Sequence, residues 1–132
     1  MKNTFFLAAC IVFAACNTTI QGDADRFKTG VFEIPAGKGY EKTVLIRKDS
    51  LQIESYTTTS SDGLTTTTHV DTLFIKWHNN FSYTLRMKSP KKSIDKDPIY
   101  VQFTKVTDSS YAFKAKIGYS NFVSDGVVYK RQ

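Results

Sequence analysis

Past residue 26 the sequence predicts an all-β domain, an antiparallel up-and-down meander of about eight or nine strands closed into a barrel or half-barrel. Three observations predict it. The run Phe81-Ser82-Tyr83-Thr84-Leu85-Arg86-Met87-Lys88 alternates apolar and polar side chains residue by residue, the period of a strand with one dry and one wet face. Turn residues recur at short intervals, among them Ser60-Ser61-Asp62-Gly63 and Asn79-Asn80, which suit the left-handed backbone of tight hairpins. No extended stretch of this part carries the helical repeat.

Each element follows from the same signals. Phe27 to Ile34 reads as the first strand, ended by Pro35-Ala36-Gly37-Lys38-Gly39, and Lys42 to Arg47 as the second. Lys48-Asp49 turns the chain into Ser50 to Thr59, and the return strand, Leu64 to His78, is expected to break near Val70-Asp71. After Phe81 to Lys88, Ser89 to Pro98 is a loop between two prolines. Ile99 to Val106 and Ser110 to Gly118 are joined by Thr107-Asp108-Ser109, and Val127 to Arg131 closes the chain after a turn at Ser124-Asp125-Gly126. Hairpin-length links pair each strand with its sequence neighbour, and closure hides both sheet edges. A β-sandwich is the alternative; it needs long crossovers, and only the loop around Lys91 has the length. Thr57-Thr58-Thr59 and Thr65-Thr66-Thr67-Thr68 are polar on both faces, so this hairpin should project beyond the core as an extended ribbon. It is a contact surface for a partner or glycan, or a solvated ribbon and nothing more.

Composition limits the classes. A hydrophobic share of 41% with 14% aromatics excludes a disordered chain. The 132 residues hold two cysteines, Cys10 and Cys16, so the β domain has no pair to oxidise and rests on its core. That length suits one domain. Lys2 precedes an apolar core from Phe5 to Ala15, with the small residues Ala14-Ala15 before Cys16, the layout of a secretory signal. The core is too short to span a bilayer, which takes about 20 apolar residues.

Ile11-Val12-Phe13-Ala14-Ala15-Cys16 resembles the lipobox of bacterial lipoproteins. The resemblance implies that residues 1–15 are removed as a signal peptide and that Cys16 is lipidated on its thiol and on the freed amino group. Residues 16–26 then form the lipidated cysteine and a polar tether, and residues 27–132 a single all-β domain. Acyl chains such as palmitate, each contributing about 0.8 kcal/mol per buried CH₂, would hold the domain on a membrane. Lipobox sequences favour Leu where this chain has Phe13; Leu7-Ala8-Ala9-Cys10 fits that preference but leaves almost no apolar core before it. An ordinary secretory signal cleaved after Ala15 is the alternative. Asn17, in place of an Asp after the cysteine, implies by the same resemblance the outer membrane, with the domain facing the periplasm. Thr29-Gly30-Val31-Phe32 and Tyr129-Lys130-Arg131 resemble the opening and closing strands of lipocalin-like barrels.

Chemistry is sparse. His69 and Asp71 lie two apart on one strand face, whereas His78 has the opposite parity, and a zinc site wants three or four ligands. Neither a Gly-x-Ser-x-Gly elbow nor a phosphate loop occurs. The expectation is therefore no enzyme, no catalytic residue, no metal and no cofactor. Lys88, Lys91, Lys92 and Lys96 gather around one loop, and Lys114 and Lys116 share a strand face, where anionic head groups would fit; a solvated surface explains them equally. The net charge of +6 by itself fits nucleic acid, but an envelope address excludes that partner. Short lipoproteins resembling this one sometimes carry a DNA topoisomerase label, and no tyrosine here sits in a strand-cleaving context. Asp49-Ser50-Leu51 and Asp71-Thr72-Leu73 resemble the Asp, Ser/Thr, apolar signal for envelope O-glycosylation, which makes Ser50 and Thr72 candidates.

These readings converge on a non-enzymatic binding or structural module, anchored to the membrane through Cys16, that takes a small apolar ligand or an envelope protein partner. Phe32, Phe74, Trp77, Tyr83, Phe103, Phe113 and Tyr129 are expected to line the barrel or to fill it. An inhibitor of a cell-wall-degrading enzyme is one alternative, opposed by the basic charge, which would repel a cationic lysozyme. A small hydrolase is the other.

Overall fold

A computed structural model describes residues 24–37 and 41–131; the lipobox segment, Cys10, Cys16 and Lys38-Gly39 of the first turn lie outside the described residues. Eight strands follow one another: β1 (Gly30–Ile34), β2 (Thr43–Lys48), β3 (Leu51–Thr59), β4 (Thr66–Asn79), β5 (Ser82–Met87), β6 (Ile99–Val106), β7 (Ser110–Ile117) and β8 (Val123–Lys130). Each is antiparallel to its sequence neighbour, and β8 returns to β1 through Phe32↔Lys130 and Glu33↔Tyr129. The result is a closed up-and-down β-barrel of the lipocalin-like kind, which leaves no edge strand unpaired. Among the described residues no helix is long and apolar enough to cross a membrane.

Local chemistry explains the links. Asp49 and Ser50 both take positive φ, 52° and 64°, as a two-residue hairpin turn demands. Gly63, at φ 74°, completes the turn in which Ser60 N–H donates to the Thr65 carbonyl at 2.8 Å. Asn79 Oδ1 accepts from the Phe81 N–H at 2.8 Å and folds the chain into β5. The threonine ribbon extends past the core as expected, with Thr57, Thr58, Thr59, Thr66, Thr67 and Thr68 all exposed.

Four expectations need correction. Phe27 does not start a strand: Asp25–Phe27 is a short 3-10 helix that drives the Phe27 ring into one end of the barrel, where it is fully buried. β4 runs unbroken through Val70-Asp71, because Asp71 faces inward opposite Glu54 and the register with β3 is continuous there; the strand's irregularity lies further on, between Trp77 and Asn79. Ser124-Asp125-Gly126 lies inside β8; Gly126 is there because the Phe113 ring packs over it, and a Cβ would stand 2.9 Å from Phe113 Cζ. The turn before β8 falls instead at Gly118, with φ 50°. Within Ser89 to Pro98, Ser93–Lys96 forms a 3-10 turn rather than open loop.

The core runs from Phe27 upward through Phe32, Leu45, Leu73, Tyr83, Phe103, Tyr111 and Val128, with Phe103 and Tyr111 stacked at 3.8 Å between centroids. Of the aromatics expected inside, Phe32, Tyr83 and Phe103 are buried and Trp77 and Phe113 pack against them. Phe74 and Tyr129 instead face outward, 49% and 46% exposed, because their neighbours Leu73, Ile75 and Val128 take the inward parity. The Phe27 end is corked: the Arg26 side chain donates to the carbonyls of Thr107 and Asp108, and Lys28 Nζ donates to Asn80 Oδ1 at 3.2 Å. The loops between β3 and β4, β5 and β6, and β7 and β8 lie at the opposite, open end, where β1 also ends and β2 begins.

Candidate functional site in the mouth of the barrel

Strands β2 and β3 invert the usual pattern and turn polar side chains inward. On β2 Leu45 and Arg47 face the core; on β3 the inward set is Gln52, Glu54, Tyr56 and Thr58, opposite Leu73, Asp71, His69 and Thr67 of β4. A polar column therefore climbs the inside of the barrel from the cork to the mouth.

Its foot is Arg47, 1% exposed. Nε donates to Gln52 Oε1 at 2.8 Å, Nη1 to the Phe27 carbonyl at 2.8 Å, and Nη2 to the hydroxyls of Tyr83 at 2.9 Å and Tyr111 at 2.6 Å. Four rings surround the cation, with Cζ 4.9 Å from the centroids of Phe32 and Tyr83 and 5.6 Å from those of Trp77 and Tyr111. Among the described residues no carboxylate forms an ion pair with it. A buried guanidinium needs such a cage, because burial without paired hydrogen bonds costs several kcal/mol per ion. Burial alone disfavours the charge; the Tyr83 and Tyr111 oxygens, by charge and hydrogen bond, more than reverse this and hold Arg47 above its ordinary value. The Tyr111 phenol is pushed well above its usual range, first by burial and then by its neighbour Tyr83.

Gln52 relays the charge. Its oxygen accepts from Arg47 and its Nε2 donates to Glu54 Oε1 at 2.8 Å, so the amide has one workable orientation between cation and carboxylate. Burial pushes the Glu54 carboxyl up; the Gln52 bond opposes this, facing Asp71 reinforces it, and the more distant Arg47 opposes it. Higher still, the Tyr56 and His69 rings stack at 4.9 Å and 17°, and Thr58 Oγ1 lies 2.9 Å from His69 Nε2.

Above Glu54 the barrel opens into a cleft of about 610 Å³ lined by Glu41, Thr43, Glu54, Tyr56, Thr58 and Thr59, together with Gly37. Its walls carry hydroxyls, the two carboxylates of Glu41 and Glu54 and one aromatic face, the chemistry that holds a small polar molecule offering hydrogen-bond donors. His69 and Asp71 share the inward face, and His78, of opposite parity, bonds to Thr84 Oγ1 on the outer wall. Ser50 sits exposed in the β2–β3 turn and Thr72 faces outward from β4.

Arg47, Gln52 and Glu54 were not singled out from the sequence. The signal that could have found them is the parity of β3: if the polar set Gln52, Glu54, Tyr56 and Thr58 is inward, the barrel must hold a charged column. Scans against protein-family models, curated proteins and solved structures return no match to this chain.

Proposed function

We propose that the protein is a lipid-anchored, non-enzymatic binding module of the bacterial cell envelope, held by Cys16 and presenting the mouth of its barrel to a small polar ligand. One observation carries the reading: the described chain enters at the corked end, where Phe27 seals the barrel, while the polar cleft opens at the other end. A tether running back from Ala24 to Cys16 would leave that mouth facing away from the membrane, free to sample solutes or a partner. The lipobox-like Ile11–Cys16 segment and the Asn17 beside it support the anchor and an outer-membrane address. The ligand is polar because the apolar positions inside are occupied by one another, from Phe27 through Phe103 and Tyr111 to Val128.

The test is extraction of the full chain from native membranes with mass spectrometry of what co-purifies. Cys16→Ala should move the protein from the membrane to the soluble fraction, and Tyr56→Ala should strip the co-purifying small molecule. A Cys16→Ala form that stays on the membrane overturns the anchor. A small molecule retained equally by Tyr56→Ala, or none in the wild-type protein, overturns the mouth site.

A further inference from the structure

The outer wall of the barrel carries a charge pattern that the mouth does not explain. Outward positions of β4 to β7 include Lys76, Arg86, Lys105, Lys114 and Lys116, and not one Asp or Glu. None of the five is within 4.0 Å of a carboxylate among the described residues, although Asp125 on β8 stands in register with Lys114. Cross-strand register makes a straight row of four of the wall's residues: Lys76 faces Thr84, Thr84 faces Tyr100, and Tyr100 faces Lys116. With neighbouring strands about 4.8 Å apart, the two lysines bracket a span of about 14 Å.

Tyr100 stands in the middle of that row, 46% exposed, between two hollows of about 400 and 470 Å³. One hollow has Lys114 and Lys116 in its wall and the other Lys76 and Arg86; His78 borders both. An aromatic face flanked by cations and hydroxyls suits a sugar ring that stacks while its acidic substituents meet the lysines. A planar bilayer would touch only the crest of this convex wall, whereas a chain can lie across both hollows. We propose that the outer wall of β4–β7 binds a strand of acidic polysaccharide, with Tyr100 as the stacking platform and Lys76, Arg86 and Lys116 as the anion contacts. This site is independent of the mouth cleft.

The experiment is calorimetric titration of the full chain, held in neutral phosphatidylcholine nanodiscs, with hexagalacturonate. Binding should weaken as salt screens the charges. Lys76→Gln with Lys116→Gln should lower affinity about thirtyfold, since complementary charge is worth on the order of 1 kcal/mol per group and two groups are removed. Tyr100→Ala should weaken binding at every salt concentration. Lys48→Gln with Lys91→Gln, which removes the same net charge away from this wall, should change affinity less than about twofold. The proposal falls if hexagalacturonate does not bind, if the two double variants weaken binding equally, or if neutral maltohexaose binds as well. It also falls if glycerophosphoglycerol, the free head group of an anionic lipid, binds as tightly as the hexasaccharide.

Discussion

Replacing Arg47 by Met tests whether the buried cation holds the barrel together. Methionine keeps the stem and much of the volume but removes all four donated bonds. Tyr83 and Tyr111 can still satisfy each other, their hydroxyls being 2.9 Å apart. The Phe27 carbonyl and Gln52 Oε1 are left without a donor, at about 1–3 kcal/mol each, so Arg47→Met should destabilise by about 2–6 kcal/mol. The assay is urea unfolding followed by the fluorescence of Trp77, the only tryptophan, whose ring centroid lies 5.6 Å from the guanidinium carbon. The midpoint should fall with an unchanged slope, the mark of lost stability rather than a changed unfolded state. Adding Gln52→Leu and Glu54→Leu removes the other members of the column, and an all-apolar replacement of a buried ionic network is often neutral or stabilising. The triple variant should recover more than half of the loss. Arg47→Met within about 1 kcal/mol of wild type, or a triple variant no more stable than Arg47→Met, would refute the reasoning.

Glu54 gives a pH dependence of definite sign. Its folded carboxyl binds a proton more tightly than the unfolded one, so the stability this contributes is full below the ordinary value of 4.5 and is lost as pH rises through the raised folded value. Glu54→Gln keeps an oxygen for Gln52 Nε2 and should raise the melting temperature at pH 7 while flattening that fall; thermal melts across pH 4–8 check it. Phe27→Ala should cost about 3–5 kcal/mol by emptying the cork, read by denaturant midpoint. Gly126→Ala should cost about 1–3 kcal/mol, because the new methyl meets Phe113 Cζ and Cε1 at 2.9 and 3.0 Å, and Phe113→Leu should restore much of it.

Where one strand face is wholly apolar and the other wholly polar, the sequence announced the structure. β5 is the clearest case: Tyr83 and Leu85 are buried and Arg86 is exposed, as the alternation requires, although Thr84 of the polar face is buried too, hydrogen-bonded to His78. The hairpin at Asp62-Gly63 was legible because Gly63 takes a positive φ that other residues resist; Asn79-Asn80 also turns the chain, but through the Asn79 side chain accepting from the Phe81 N–H and not through left-handed backbone. β2 was not legible in the same way. Its two faces read Thr43, Leu45, Arg47 and Val44, Ile46, Lys48, each with a branched residue, an aliphatic one and a cation, so parity could not be chosen from the strand alone. Only the closed register, which sets Arg47 against Gln52 and within reach of Tyr111 on β7, decides it. Gly126 misled for a related reason: its lack of a side chain serves a ring on the neighbouring strand, not a turn, and local sequence does not carry that information.

The inversion in β2 and β3 has a cost that points back to the mouth. Sending Arg47, Gln52 and Glu54 inward forces Val31, Ile46 and Ile53 into one cross-strand row on the outer wall, with Val31 38% and Ile46 42% exposed. The opposite register would bury that row and solvate the column, but it would also turn out Phe32 and Leu45, which are 0% and 1% exposed. The whole cage also keeps the observed register: cork carbonyl, two phenols and relay amide all converge on one guanidinium, and every buried side-chain polar atom among the described residues has a partner. A barrel that only had to stay folded needs none of this. A barrel that must hold a carboxylate upright at the base of an open cleft needs a donor beneath it and a cation beneath the donor, which is the order in which Glu54, Gln52 and Arg47 stand.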